Sequence, residues 1–110
     1  MRMEDSIQAF AALSQRTRVE VLKLLITKGA DGLLAGEISS QLGVRQNTMS
    51  TNLGILSRAG LIRGERHGRE IRYYADFGGI RAIIAFLMED CCGGEPEICE
   101  PILDTVVCEC

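Results

Sequence analysis

Five thiols crowd the end of this chain: Cys91, Cys92, Cys99, Cys108 and Cys110. The first three fall in the run MEDCCGGEPEIC, Met88 to Cys99, where two adjacent cysteines precede Gly93, Gly94 and Pro96. On an unbroken helix, Cys92 and Cys99 would stand about 10.5 Å apart along the axis. One ion could not reach both, because a zinc–thiolate bond is about 2.3 Å long. The two glycines and the proline break the helix, so the chain is expected to fold back and bring Cys99 beside Cys91 and Cys92. Three gathered thiolates suit a soft, thiophilic ion. Four of the five thiols would alternatively make an all-cysteine zinc site. A mixed Cys/His site is poorly supplied, since the chain has one histidine, His67, far away in sequence.

Thiol oxidation is the competing chemistry. An odd number of cysteines argues against full disulfide pairing, as does a reducing compartment. A reactive thiol needs a lowered pKa, from cations or a helix N-terminus. These thiols follow the end of a predicted helix, the negative end of its dipole, among acidic residues. Both influences raise the thiol pKa and count against a redox switch. Catalysis is not supported either. There is no GxxxxGK phosphate loop, and Thr105 stands after Cys99 where a Cys-x5-Arg loop would need arginine.

Charge divides the chain at the same place. From Glu89 onward there are seven acids and no Lys or Arg, whereas all 12 basic residues precede it against eight acids. The body is therefore +4 and the tail −7, within a formal net charge of −3. Six arginines lie between Arg45 and Arg72, against Glu65 and Glu70. A basic body implies an anionic partner there and a different task for the tail. The expected division is residues 1–90 as the basic body and 91–110 as an acidic, cysteine-rich tail. No basic-then-apolar leader opens the sequence, and the longest apolar run, Ile80 to Met88, is too short for a membrane span. The expected location is the cytoplasm, with no membrane partner.

The elements that must position these groups are legible from periodicity. Asp5 or Ser6 is expected to cap a first helix through Leu13, and Ser14 a second from Gln15 to Lys28. In the second, Val21, Leu22, Leu24, Leu25 and Ile26 form a wide apolar face that should be central to the core. A short helix ending at Leu42, a turn at Gly43-Val44 and a longer helix from about Gln46 to Ala59 make a helix-turn-helix, closed by Gly60. LIRGER and EIRYYA read as strands of a hairpin around His67-Gly68-Arg69. Asp76 should cap a last helix reaching about Glu89. The fold class is mainly α with a small β-hairpin, a winged helix-turn-helix.

In the longer helix Met49, Leu53 and Leu56 share one face, and Asn47, Thr51, Gly54 and Arg58 the other, flanked by Gln46 and Ser50. A major groove admits such a helix, with its N-terminal residues against the base edges. Gln46, Asn47, Ser50 and Thr51 have suitable donors and acceptors. Arg58, and Arg66, His67 and Arg69 at the wing tip, can meet phosphates or the minor groove. A polar helix face alone would be ordinary surface. The order of helix, helix-turn-helix and basic hairpin favours double-stranded DNA over the alternative, a winged-helix module that binds only protein.

LGVRQNTMSTNLGILSRAGLIRGERHGREIRYYA, Leu42 to Ala75, resembles the ArsR/SmtB metalloregulatory repressors over the recognition helix and wing. ALSQRTRVEVLKLL resembles the family's second helix. The resemblance implies base contacts at Gln46, Asn47, Ser50 and Thr51, an operator with an imperfect inverted repeat, and a homodimer paired through its first and last helices. It also implies a repressor that needs no cofactor in its apo form. The Cys-x-Cys pair that many arsenic sensors carry in the first motif helix is absent from GLLAGEI. The zinc sensors' histidines are absent from the last helix.

Other family members with a helix-end CC and a following cysteine sense arsenite and antimonite. The resemblance thus assigns Cys91, Cys92 and Cys99 as ligands of As(III) or Sb(III). Arsenite is a neutral trihydroxide at pH 7. Three thiols exchanging for three hydroxides leave the site neutral, which fits a tail without Lys or Arg. Other soft metals (Cd, Pb, Hg) and thiol oxidation are the alternatives, and a methylated arsenical would use two thiols. Cys108 and Cys110 are read as a tail, with extra ligation or a second site as the other options.

Overall fold

The computed structural model describes residues 1–88. The expected fold-back of the thiols, and the assignment of 91–110 as a separate unit, lie outside the described residues. The chain forms α1 (Met3–Ala12), α2 (Arg16–Lys28), a 3-10 turn (Gly29–Asp31), β1 (Leu33–Leu34), α3 (Ala35–Leu42), α4 (Gln46–Arg58), β2 (Ile62–His67), β3 (Glu70–Ala75) and α5 (Phe77–Leu87). This is the expected winged helix-turn-helix with one strand added.

The added strand completes an antiparallel sheet of order β1-β3-β2. Leu33 pairs with Tyr73 and Leu34 with Arg72. Two residues are too few to show an alternating pattern, so only the partner strand defines β1. In the hairpin, Ile62 pairs with Ala75 and His67 with Glu70, leaving Gly68 and Arg69 as the turn.

The helix starts differ from expectation for local reasons. Helix α1 begins at Met3, and Asp5 acts from the third helical position, accepting the Arg2 backbone N–H at 3.2 Å. Ser6 is inside the helix and buried, its hydroxyl donating to the Met3 carbonyl at 2.7 Å. Ser14 closes α1 by donating to the Ala11 carbonyl, and Gln15 caps α2, its side-chain oxygen accepting the Arg18 N–H at 2.9 Å. The last helix ends at Leu87, short of Glu89.

The helix ends match the glycines. Gly60 has φ +78°; its N–H donates to the Ser57 carbonyl, and the next N–H, of Leu61, reaches back to Leu56. That paired arrangement satisfies carbonyls that a helix end otherwise leaves open. Gly43, at φ +65°, makes the same left-handed turn between α3 and α4, with the Val44 N–H on the Ser39 carbonyl.

The core comprises Val21, Leu22 and Leu25 from α2, Ile38 from α3, Met49, Leu53 and Leu56 from α4, Leu61 and Ile62 from the β2 region, and Ile83 from α5. Leu24 packs at its margin, while Ile26 is exposed, so the apolar face of α2 is narrower than expected. Helices α1 and α5 pack on each other. Yet Met3, Ile7 and Phe10 on α1, and Phe77, Ile84 and Leu87 on α5, lie in solvent.

Leu56 is fully buried at the junction of α4 with the turn into the wing. Leu56→Ala should cost about 2–5 kcal/mol, read as a lowered urea midpoint at unchanged m-value.

Candidate nucleic-acid interface

Helix α4 has two unlike faces. Met49, Asn52, Leu53 and Leu56 are buried, while Gln46, Asn47, Ser50, Thr51 and Arg58 are exposed. Asn47 Oδ1 accepts the Thr48 N–H at 2.9 Å, and the Thr51 hydroxyl donates to the Asn47 carbonyl at 3.3 Å. The Asn47 amide hydrogens and the Thr51 lone pairs stay available. At the far end, Arg58 lies back along the helix. A Cβ added at Gly54 would stand 3.3 Å from Arg58 Nη1. The mid-helix glycine is thus the floor on which the guanidinium rests.

The wing meets this helix edge-on. Gln46 and Ser50 of α4 line a cleft of about 750 Å³ together with Arg69, Ile71 and Tyr73 of the hairpin and residues of α3. The start of the recognition helix and the wing turn therefore share one concave surface. Strand pleating divides the remaining wing residues. Arg66 stands opposite Ile71 on one face, whereas Arg63, Glu65 and His67 stand on the other with Glu70, Arg72 and Tyr74. Arg63 donates to Glu65 and its guanidinium stacks over Tyr74, 4.5 Å from the ring centroid. His67 Nε2 is 3.8 Å from Glu65 Oε2. The Arg63 hydrogen bond, with smaller contributions from Tyr74 and His67, holds the Glu65 carboxyl below the usual carboxylate range. The sequence grouped Arg66, His67 and Arg69 as one tip; the fold separates His67 from Arg66 by strand face.

Two contacts hold the recognition helix from behind. Asn52 is buried among the apolar residues of α4, and its Oδ1 accepts Arg18 Nη1 at 3.2 Å. Arg18 Nε donates at 2.6 Å to the Ala12 carbonyl at the end of α1. One planar fork thereby joins α1, α2 and α4. The spacing carried the signal, because 49, 52, 53 and 56 follow i, i+3, i+4, i+7 and put Asn52 on the inner stripe. The second contact is backbone on backbone. A Cβ at Gly79, in the first turn of α5, would collide with the Gly60 carbonyl just beyond α4. Asp76 caps that turn, accepting the Gly79 N–H at 3.0 Å, and its own N–H donates to the Leu61 carbonyl at 2.9 Å.

Among the described residues, no group of three or more His, Cys, Asp or Glu side chains is placed to hold a metal ion. No helix of the described residues is long and apolar enough to cross a membrane. Cys91, Cys92 and Cys99 lie outside the described residues.

A half-exposed helix, a turn before it and a basic hairpin after it define a winged helix-turn-helix DNA-binding protein. The comparisons agree. A family model described as a helix-turn-helix domain matches residues 13–65. The uncharacterized HTH-type transcriptional regulator YbzH of Bacillus subtilis is 33% identical over 95 residues, covering 76% of this chain and 95% of that protein. An ArsR-like transcriptional regulator from Rhodococcus sp. RHA1 superposes with TM-score 0.70 at 26% identity, covering 97% of this chain and 96% of that one. The homodimeric winged helix-turn-helix DNA-binding domain Mb0332 of Mycobacterium bovis shares the fold, with TM-score 0.63 at 22% identity over 80% of this chain and 82% of that chain. The chain belongs to the HTH-type transcriptional regulators.

Gly54→Ala should stabilise α4 by about 1 kcal/mol, because only the mobile end of Arg58 must move; the check is a higher urea midpoint. Arg18→Met strips the buried Asn52 oxygen and the Ala12 carbonyl of their donor. It should cost about 1–3 kcal/mol, and Arg18→Lys, lacking the fork, should recover only part of it.

Proposed function

We propose that this chain is an arsenite- and antimonite-responsive repressor. It binds operator DNA with an imperfect inverted repeat as an apo homodimer and dissociates when As(III) or Sb(III) binds Cys91, Cys92 and Cys99. The observation that carries the reading is the Cys91-Cys92-x6-Cys99 spacing with its Gly-Gly-x-Pro break. Its placement supports it, since the first thiol follows three residues after Met88, just past α5.

The exposed apolar residues of α1 and α5 support pairing of two chains through those helices. Gln46, Asn47, Ser50 and Thr51 read base edges, and Arg58, Arg66, His67 and Arg69 meet phosphates. In such a dimer the two recognition helices enter successive major grooves one DNA turn apart. Ion binding gathers the thiols and reshapes the end of α5. The contact of Gly79 with Gly60 carries that change to α4, and the reading heads lose their spacing. A coupling of about 1–3 kcal/mol is sufficient.

The test is an anisotropy titration on an operator selected from a random duplex pool, with arsenite, antimonite, cadmium, zinc and peroxide added in turn. Arsenite and antimonite should release the wild type, and Cys92→Ser should abolish release. A complex that survives arsenite overturns the proposal, as does a Cys92→Ser protein that still responds fully. Release by cadmium alone would assign another soft metal. Release by peroxide, reversed by a reductant, would assign thiol oxidation. An apo protein that selects no DNA would favour a protein-interaction module.

A further inference from the structure

The outer face of the wing carries two carboxylates, Glu65 and Glu70, and Glu65, in its middle, is the one ion-paired to an arginine among the described residues. Glu65 accepts from Arg63 and lies 3.8 Å from His67 Nε2. Across the strands it faces Arg72, whose guanidinium is already committed to the Asp31 and Gly32 carbonyls. Both arginines on this face, Arg63 and Arg72, therefore have acceptors within the protein. The remaining wing cations differ. Arg66 is on the other face, Arg69 is in the turn lining the cleft with Gln46 and Ser50, and neither has a carboxylate within ion-pair distance among the described residues.

We propose that Glu65 limits the wing's sequence-independent affinity for DNA: it competes with DNA phosphates for Arg63 and leaves the wing's phosphate contacts to Arg66, His67 and Arg69. The inference rests on the reading above that the wing lies along the DNA backbone. Phosphate contacts raise affinity for every sequence alike. A wing with all its arginines free would therefore strengthen random DNA and operator by the same factor. An internal carboxylate occupying Arg63 holds that sequence-independent attraction down while leaving base reading by α4 untouched. The Arg63 guanidinium is also fixed from above by Tyr74, so Glu65 and the ring together hold it on the outer face.

The experiment is a salt series of anisotropy titrations at pH 7 with a random-sequence 30-base-pair duplex and with the selected operator. Glu65→Gln is expected to tighten random duplex by about three- to tenfold and to steepen the slope of log K against log salt by about one. The operator should tighten by the same factor, so the operator-to-random ratio should hold. Glu65 is exposed, so the variant should fold. Arg63→Ala removes a cation and leaves Glu65 unpaired, so it should weaken the random duplex in the wild type; Glu65→Gln added to it should recover less than it gains with Arg63 present. A uniform loss of one negative charge would give the same gain in both backgrounds. Arg66→Ala with Arg69→Ala reports on the parent reading and should flatten the slope by about two. An unchanged slope in Glu65→Gln, with a flattened one in the arginine pair, overturns the role of Glu65 alone. Unchanged slopes in both overturn the wing contact and this proposal with it. A Glu65→Gln gain that persists in full after Arg63→Ala also overturns it.

Discussion

The recognition helix must do two opposed things with thirteen residues. One face supplies Met49, Leu53 and Leu56 to the centre of the core, and the other must stay polar and uncovered along its length. A helix held on one side only can roll about its axis, and a small roll would carry Gln46 and Ser50 away from a groove. The rest of the domain reads as the means of preventing that roll. Helix α3 packs against α4 from across the turn, the wing meets it through the cleft wall, and α1, α2 and β2 contact it from the core side.

Two of those supports are polar or backbone contacts rather than apolar packing, which gives them directionality. A buried asparagine in an apolar stripe is costly unless it is satisfied. Here the Arg18 fork satisfies Asn52 and at the same time donates to the carbonyl end of α1, where a cation is favoured by the helix dipole. The approach of Gly79 to the Gly60 carbonyl admits no side chain at all. It places the start of α5 against the end of α4, within backbone contact. The helices with exposed apolar faces, α1 and α5, are thus the ones joined to the recognition helix, so a change in how they pair would reach the DNA-facing side through short, stiff links.

The wing solves an electrostatic problem by the pleat. Arginines are plentiful between Arg45 and Arg72, yet the hairpin sorts them by strand face. Arg63 is spent on Glu65 and Tyr74 and Arg72 on the loop carbonyls before β1, while Arg66 and Arg69 remain for an outside partner. The number of basic residues therefore overstates the charge that the surface offers to a polyanion.

The sequence by itself determined the element order, the helix-turn-helix and the polar face of α4. Those follow from short-range rules: a 3.6-residue period, glycines that tolerate positive φ, and strand alternation, all of which are local in the chain. It also determined where the thiols lie, since position needs no fold. The tertiary structure decided what distant residues do for one another. Strand β1 exists because β3 supplies its hydrogen bonds. Asn52 is inward by its helical spacing, but it is satisfied there because Arg18, 34 residues away, reaches it. Gly79 is a glycine because the carbonyl of Gly60 occupies the space its Cβ would fill. Arg63 is held because pairing with β3 sets Tyr74 beside it. Each of these depends on a partner far along the chain, and a local pattern carries no information about which partner that will be.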